Sequence, residues 1–260
     1  MKEILSVIPA RAHSKGIINK NIYKIRGKPL MAYSIECSLN SKFISRTIVT
    51  TDSLNYKKIA ESYGAEVPFI REEKFSTADV HAVVPVIDTL IKLKEKESYN
   101  PDLVIMLLPT SPLRKSITLD RAIEKFKKSK SEFKSLVSVK PLHKSKHHLR
   151  KIKGDFLLPF EEEKNYNIQR QGLENLFVLN GSIYIASPND LMKYKSFHID
   201  NQTTFFEMDE FESINIDMSN TNLPNFENIH DHINKLINGK IGSLAKELAE
   251  ETTKDLDIDL

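Results

Sequence analysis

The chain has 260 residues, 40% of them hydrophobic, with 38 Lys and Arg against 35 Asp and Glu for a formal charge of +3. That balance fits a globular protein with one sizeable core and an appended lobe, and it gives no argument for nucleic acid as a partner. No run approaches the roughly 20 apolar residues of a membrane span, Met1-Lys2-Glu3 leads straight into a strand-like segment with no room for a signal peptide, and the single Cys37 excludes an internal disulfide, so the cytoplasm is the expected compartment.

The first half alternates strand and helix signals. Ile4 to Ile8 is a short apolar run ending at Pro9, as in a buried strand. A polar, basic loop follows, and Pro29 to Cys37 reads as a helix with proline at its start. Arg46 to Thr51 is the second strand, Tyr56 to Tyr63 the second helix, and Gly64 its stop. Glu66 to Ile70 is a short edge-like piece, and residues 81–97 carry apolar side chains at helical spacing. Leu103 to Leu108 is a continuous apolar run that fits a central parallel strand buried on both faces. A helix at 117–130 and the strand Ser135 to Val139 complete the pattern. Such alternation predicts a doubly wound α/β sheet with helices on both sides.

From about residue 141 the alternation stops, which suggests an extension from the main sheet at 141–205. Val178 to Ala186 and Ser213 to Ile216 are strand-like, and residues 226–260 read as a helical tail.

The loop after the first strand carries the chemistry. Arg11, Lys15, Lys20 and Lys28 supply cations, and Ser14, Asn19 and Asn21 supply short polar groups between them. At the carboxyl end of a strand, such a loop suits a polyphosphate. It is not a Walker A loop, and no G-x-G-x-x-G is present. From these residues alone a solvated basic loop remains the competing reading.

The stretch IPARAHSKGIINKNIYKIRGKPL resembles the signature of the acylneuraminate cytidylyltransferases, the CMP-sialic acid synthetases. The resemblance continues at Val49-Thr50-Thr51-Asp52, Tyr63 to Arg71, Leu108-Pro109-Thr110-Ser111-Pro112-Leu113-Arg114, Arg170-Gln171, Asn180 to Tyr184 and Ser213 to Asp217. These blocks follow the family order over residues 4–217. The resemblance implies a three-layer, Rossmann-like, mostly parallel α/β fold of the nucleotide-diphosphate-sugar transferase type. It implies a cytidylyltransferase domain over 1–225, in which 141–205 serves dimerisation. It also implies transfer of CMP from CTP to the anomeric hydroxyl of a nonulosonic acid, with Mg²⁺ as cofactor and Mn²⁺ as its substitute.

Residue by residue, the resemblance implies that Arg11, Ser14, Lys15, Lys20 and Asn21 hold CTP, with Lys15 at the α-phosphate. Arg71 matches a further nucleotide contact. Thr110 and Ser111 fall at the junction of nucleotide and sugar. Arg170, followed by Gln171, matches an arginine that reaches the sugar carboxylate from a neighbouring subunit, so a homodimer is expected. Asn180 belongs to the block that lines the sugar pocket, and Asp217 with Asn215 matches the metal site. For Asp217 the competing reading is a helix N-cap.

Departures from the family pattern bear on substrate and metal. Asn215 stands where the family has aspartate, Leu108 where it has glutamine, and His13 where it has glycine; the small residues after the family's next aspartate become Val80-His81-Ala82. These departures keep two rivals in view, an impaired nucleotide-sugar-binding homologue and a 3-deoxy-octulosonate cytidylyltransferase. His230 and His232, two residues apart, do not share a helical face, which argues against a zinc site there, and His143, His147 and His148 in the basic extension read as solvated.

Overall fold

A computed structural model describes residues 3–12, 19–77, 79–142, 150–153, 156–159 and 176–216. In chain order the strands begin with β1 (Ile4–Pro9), β2 (Lys24–Ile25) and β3 (Lys28–Pro29). Helix α1 (Leu30–Leu39), β4 (Arg46–Thr50), α2 (Leu54–Ser62), α3 (Val83–Glu97), β5 (Leu103–Leu107) and α4 (Ser116–Ser129) follow. Then come β6 (Ser135–Leu142), β7 (Arg150–Lys153), β8 (Phe156–Pro159), β9 (Leu176–Ala186), α5 (Pro188–Tyr194) and β10 (Thr203–Glu207).

Six strands form the main sheet in the order β10-β6-β9-β5-β1-β4. β1 pairs in parallel with β4 and β5, and β10 in parallel with β6, whereas β9 runs antiparallel to both β5 and β6. The mostly parallel α/β architecture expected from the alternation is therefore present. Period-two alternation divides the core between the two faces. Ile4, Ile8, Ile105 and Leu107 pack with Met31, Tyr56, Leu119 and Phe126 from α1, α2 and α4. Leu5, Val7, Val104 and Met106 pack on the other face with Val86 and Leu90 of α3 and Leu191 of α5. Both faces of β1 and β5 are covered, which is why their sequences read as unbroken apolar runs.

From β1 the chain crosses to β4 on one side, and later to β5 on the other. The crevice at the carboxyl ends of these three strands is the switch point of the sheet, where such folds bind ligands.

Three readings of the sequence differ from the structure. Ser213 to Ile216 forms no strand; Ser213 N–H bonds to Asp209 O at 3.0 Å and Ile216 N–H to Thr110 O at 2.7 Å, so the segment is laid against the end of β5 by single bonds. Glu66 contributes only an isolated parallel bridge to Ile48. Within the span assigned to the extension, β9 and β10 belong to the main sheet, while β7 and β8 form a separate two-stranded sheet. The helical tail at 226–260 lies outside the described residues.

Candidate active site

The basic loop leaves β1 under close control. Ala10 N–H bonds to Thr50 O at 3.0 Å. Ala12 N–H donates to Asp52 Oδ1 at 2.8 Å, so a carboxylate at the end of β4 anchors the first turn. Asn21, buried, donates from Nδ2 to Arg11 O at 2.9 Å. Tyr56 Oη stands 3.5 Å from Ala12 O and 3.4 Å from Asn19 Oδ1, so both flanks of segment 13–18 meet at one phenol. Burial, with the charge of Asp52, pushes the Tyr56 hydroxyl up to about 12, which keeps it a proton donor at neutral pH. Asn19 takes the left-handed conformation (φ 59°) that asparagine tolerates better than most residues. Ser14 and Lys15 lie outside the described residues.

Arg11, Lys20, Asn21, Arg71 and Thr110 line one cleft of about 200 Å³, together with Phe75, Pro85 and Pro109. Four of the residues expected to hold nucleotide, and Thr110 from the expected junction with the sugar, are thus brought together from the segments that follow β1, α2 and β5. Arg11 Nη1 donates to Thr77 O at 2.7 Å, which holds the guanidinium across the cleft.

Arg71 is 4% exposed. Its backbone N–H bonds to Thr51 O at 2.8 Å. Its Nη2 is 3.9 Å from Asp52 Oδ1, an ion-pair distance rather than a hydrogen bond. Nε and Nη2 have no hydrogen-bond partner among the described residues. Burial lowers its pKa to about 10, Asp52 opposes that shift and Arg11 adds to it. A buried cation with unspent donors is suited to receive an anion.

A second cavity of about 430 Å³ adjoins the first, and Ala82 and Leu108 line both. Its wall includes Met106, Tyr184 and Phe197, with His81, Lys195 and His198 at its mouth.

The strand-end blocks are tied together by buried polar groups. Arg114 donates from Nη1 to Ser182 O and from Nη2 to Ser34 Oγ, both at 2.6 Å, and Ser34 Oγ donates to Leu108 O at 3.1 Å. Burial lowers the Arg114 pKa, with the Cys37 thiol and Glu212 opposing. Glu212 accepts from Lys115 N–H at 3.3 Å and pairs with Lys115 Nζ at 3.1 Å, which fastens the segment before Ser213 to the start of α4.

Asn180 is a hub. Its Oδ1 accepts from Ser138 Oγ at 2.6 Å and Ser182 N–H at 3.2 Å, and its Nδ2 donates to Ser213 Oγ at 2.9 Å and reaches Met208 Sδ at 3.3 Å. Its amide is spent on the protein, so Asn180 shapes the site by holding β9 against the 208–213 segment. Asn215 Nδ2 donates to Asn180 O at 3.2 Å, while Asn215 Oδ1 is buried without a partner among the described residues. Ser111 Oγ is likewise buried and unpartnered there. An orphaned amide oxygen fits a hard cation, which takes carbonyl and carboxylate donors. Asp217, Arg170 and Gln171 lie outside the described residues, and among the described residues no three His, Cys, Asp or Glu cluster as a metal site.

Sequence reading did not assign roles to Asp52, Tyr56, Thr77 or Arg114. Asp52 and Arg114 do sit inside blocks that carried the resemblance; a carboxylate directly after a buried strand, and an arginine directly after Pro-Leu, were the available signals.

A doubly wound sheet with a cationic cleft at its switch point defines a nucleotide-binding α/β protein. The chain belongs to the cytidylyltransferase family, whose pattern matches residues 5–235. It is 36% identical over 218 residues to the CMP-N,N'-diacetyllegionaminic acid synthase of Legionella pneumophila, covering 82% of this chain and 90% of that protein. It is 30% identical over 247 residues to the N-acylneuraminate cytidylyltransferase of Escherichia coli, covering 90% of this chain and 57% of that longer protein. In fold it is similar to a CMP:2-keto-3-deoxy-manno-octonic acid synthetase solved with CTP, with a TM-score of 0.58 at 13% identity over 79% of this chain and 90% of that one.

Proposed function

We propose that the protein transfers CMP from CTP to the anomeric hydroxyl of a nonulosonic acid and releases pyrophosphate. The observation that carries this reading is the pair of cavities joined at Ala82 and Leu108, one lined by Arg11, Lys20 and Arg71 and the other by aromatic, aliphatic and polar side chains such as Phe197, Met106, Tyr184 and Ser196. A two-substrate transfer needs its partners side by side, and here the cationic half offers Arg11, Lys20 and the unspent donors of Arg71.

In this reading Arg11, Ser14, Lys20, Asn21 and Arg71 bind the triphosphate, and Thr110 and Ser111 line the junction with the sugar. Lys15 sits at the α-phosphorus, where charge accumulates as the sugar oxygen bonds to it and the bond to the β-phosphate oxygen breaks. The displaced group leaves as pyrophosphate, and the sugar hydroxyl proton passes to solvent. Positioning and charge stabilisation are the protein's share of such a transfer. Asn215, through its orphaned oxygen, and Asp217 would hold Mg²⁺, or Mn²⁺ in its place, together with phosphate oxygens. When bound, the ion supplies neutralising charge to the triphosphate.

The protein acts in this account as a homodimer in the cytoplasm, with Arg170 and Gln171 reaching the sugar carboxylate of the neighbouring subunit. Phe177 and Leu179, on one face of β9, are 43% and 48% exposed, and the Phe177 ring lies 5.8 Å from that of exposed Phe205. A contiguous exposed apolar patch of this kind supports association with a second copy. Among the described residues no helix is long and apolar enough to cross a membrane.

The test is pyrophosphate release from CTP and Mg²⁺ with a panel of nonulosonic acids and, as control, 3-deoxy-octulosonate. Release that depends on a nine-carbon acid supports the proposal. Release only with the eight-carbon acid, or with none, contradicts it.

A further inference from the structure

One rim of the cationic cleft, the stretch between Arg71 and α3, is held in place by side chains. Among the described residues, 72–77 pair with no strand. Their backbone bonds are local, from Phe75 N–H to Glu72 O at 3.0 Å and from Ser76 N–H to Glu73 O at 2.8 Å, around one 3-10 turn, Glu73–Phe75. Yet this segment gives the cleft two of its parts. Phe75 lines it, and Thr77 O accepts from Arg11 Nη1 at 2.7 Å.

The group that reaches this rim from the helical layer is Lys92 of α3, a helix packed on the sheet through Val86 and Leu90. Lys92 Nζ donates to Asp88 Oδ2 at 2.8 Å, one turn back on the same helix, and lies 3.1 Å from Glu72 Oε1 at the start of the rim. The ring centroids of Phe69 and Phe75 are 5.5 Å and 6.0 Å from the same nitrogen. The Lys92 and Asp88 side chains are only 15% and 12% exposed. An ammonium set between two carboxylates and two rings is fixed in a way that a lysine on an open helix face is not. Lys74 also pairs with Glu72, at 2.7 Å, but it belongs to the rim and moves with it, so it is no anchor.

Resting on the transfer reading above, we infer that Lys92 is a positioning residue for the nucleotide: from α3 it fixes the 72–77 rim through Glu72, and the rim, through Thr77, fixes the guanidinium of Arg11. An arginine already held across the cleft meets a triphosphate without first losing its rotamer freedom. Lys92 itself touches no substrate in this account.

The full chain is titrated calorimetrically with CTP and assayed by pyrophosphate release. Lys92→Met keeps the apolar stem and removes the charge. It should raise the CTP Kd by about three- to tenfold, the cost of ordering one long side chain that is no longer held in advance. Glu72→Ala, at a half-exposed position, should raise it in the same direction, and it decides the matter by itself where Lys92→Met does not fold. The sign separates positioning from bare electrostatics, because with a polyanion the loss of a cation weakens binding and the loss of an anion strengthens it. KM for CTP should follow Kd in both variants, while KM for the sugar acid stays at the parent value. Shifts of opposite sign, an unchanged Kd in either variant, or an equal rise in both KM values overturns the inference and leaves the transfer reading standing. CTP binding that responds as stated, without turnover of any nonulosonic acid, overturns the transfer reading alone. A wild-type chain that binds no CTP overturns both.

Discussion

The side-chain amide of Asn215 donates to the backbone carbonyl of Asn180 at 3.2 Å, in space that a side chain at Gly181 would take. A Cβ at Gly181 would lie 2.7 Å from Asn215 Nδ2 and 3.8 Å from Leu108 Cδ1, and Gly181 has φ +72°. Two of the departures from the family pattern, Leu108 and Asn215, therefore flank one glycine. Gly181→Ala is expected to cost about 1–2 kcal/mol for the left-handed backbone alone, with further displacement of Asn215. Thermal unfolding should fall by about 2–8 °C, and an unchanged midpoint would show that β9 relaxes around the methyl.

Asn215→Asp exchanges a donor for an acceptor. A carboxylate oxygen facing the Asn180 carbonyl loses the present bond and adds repulsion. Without metal the variant should be less stable than the parent. With CTP present, it should need less Mg²⁺ for half-maximal rate, because a charged ligand binds the ion more tightly than an amide. Asp217→Asn should nearly abolish activity. An unchanged Mg²⁺ requirement in the first variant, with full activity in the second, would place the ion elsewhere.

In the proposed account Arg71 is a buried charge that bound nucleotide relieves. Its folded pKa, about 10, lies below that of a free guanidinium, so the unfolded chain binds the proton more tightly. Folding therefore carries a penalty at neutral pH, which fades as pH rises through about 10. Arg71→Met should leave the ligand-free melting temperature equal or higher. It should also weaken CTP binding by roughly tenfold to a hundredfold, the worth of one hydrogen bond to a charged group. Calorimetric titration with CTP checks the second part, and undiminished affinity would remove Arg71 from the nucleotide site.

The shared-site proposal makes a prediction about mixtures. Arg170→Ala should raise KM for the sugar acid and spare CTP binding, because a guanidinium pairs bidentately with a carboxylate. Lys15→Ala should lower kcat by about 10²–10³. Subunit exchange between the two impaired proteins, assayed at low sugar acid, should restore part of the rate, since some hybrid dimers carry one intact composite site. A monomer by light scattering, or no rescue after proven exchange, would count against the shared site.

Much of the scaffold was legible because burial writes itself into sequence. β1 and β5 are covered on both faces and read as solid apolar runs. The flanks of the basic loop, Arg11 and Lys20, were singled out by their charge, and both line the cleft. Weaker elements were missed for identifiable reasons. β10 (Thr203–Glu207) is an edge strand in which Thr204 is buried and Phe205 exposed, so its pattern contradicts simple alternation of apolar and polar residues. α5 is only seven residues long, although Ser187, which caps it by accepting from Asp190 N–H at 3.1 Å, and Pro188 at its start were visible signals. Ser213 to Ile216 carries strand-like residues but finds only single backbone partners. In the site, the resemblance implied that Asn180 belongs to the block lining the sugar pocket, and in the structure its amide is bonded to Ser138, Ser182, Ser213 and Met208. Such a role depends on neighbours distant in sequence, and no local spacing announces it.

The central claim is that CMP is joined to a sugar acid in the paired cavities, and phosphorus NMR of the complete reaction tests it most directly. With CTP, Mg²⁺ and a nonulosonic acid, the account predicts loss of the three CTP resonances. In their place should appear one phosphodiester signal and pyrophosphate in equal amounts, with formation of both suppressed in Lys15→Ala. Persistence of intact CTP with every nonulosonic acid, or its breakdown to CMP and pyrophosphate without a sugar adduct, would contradict the account.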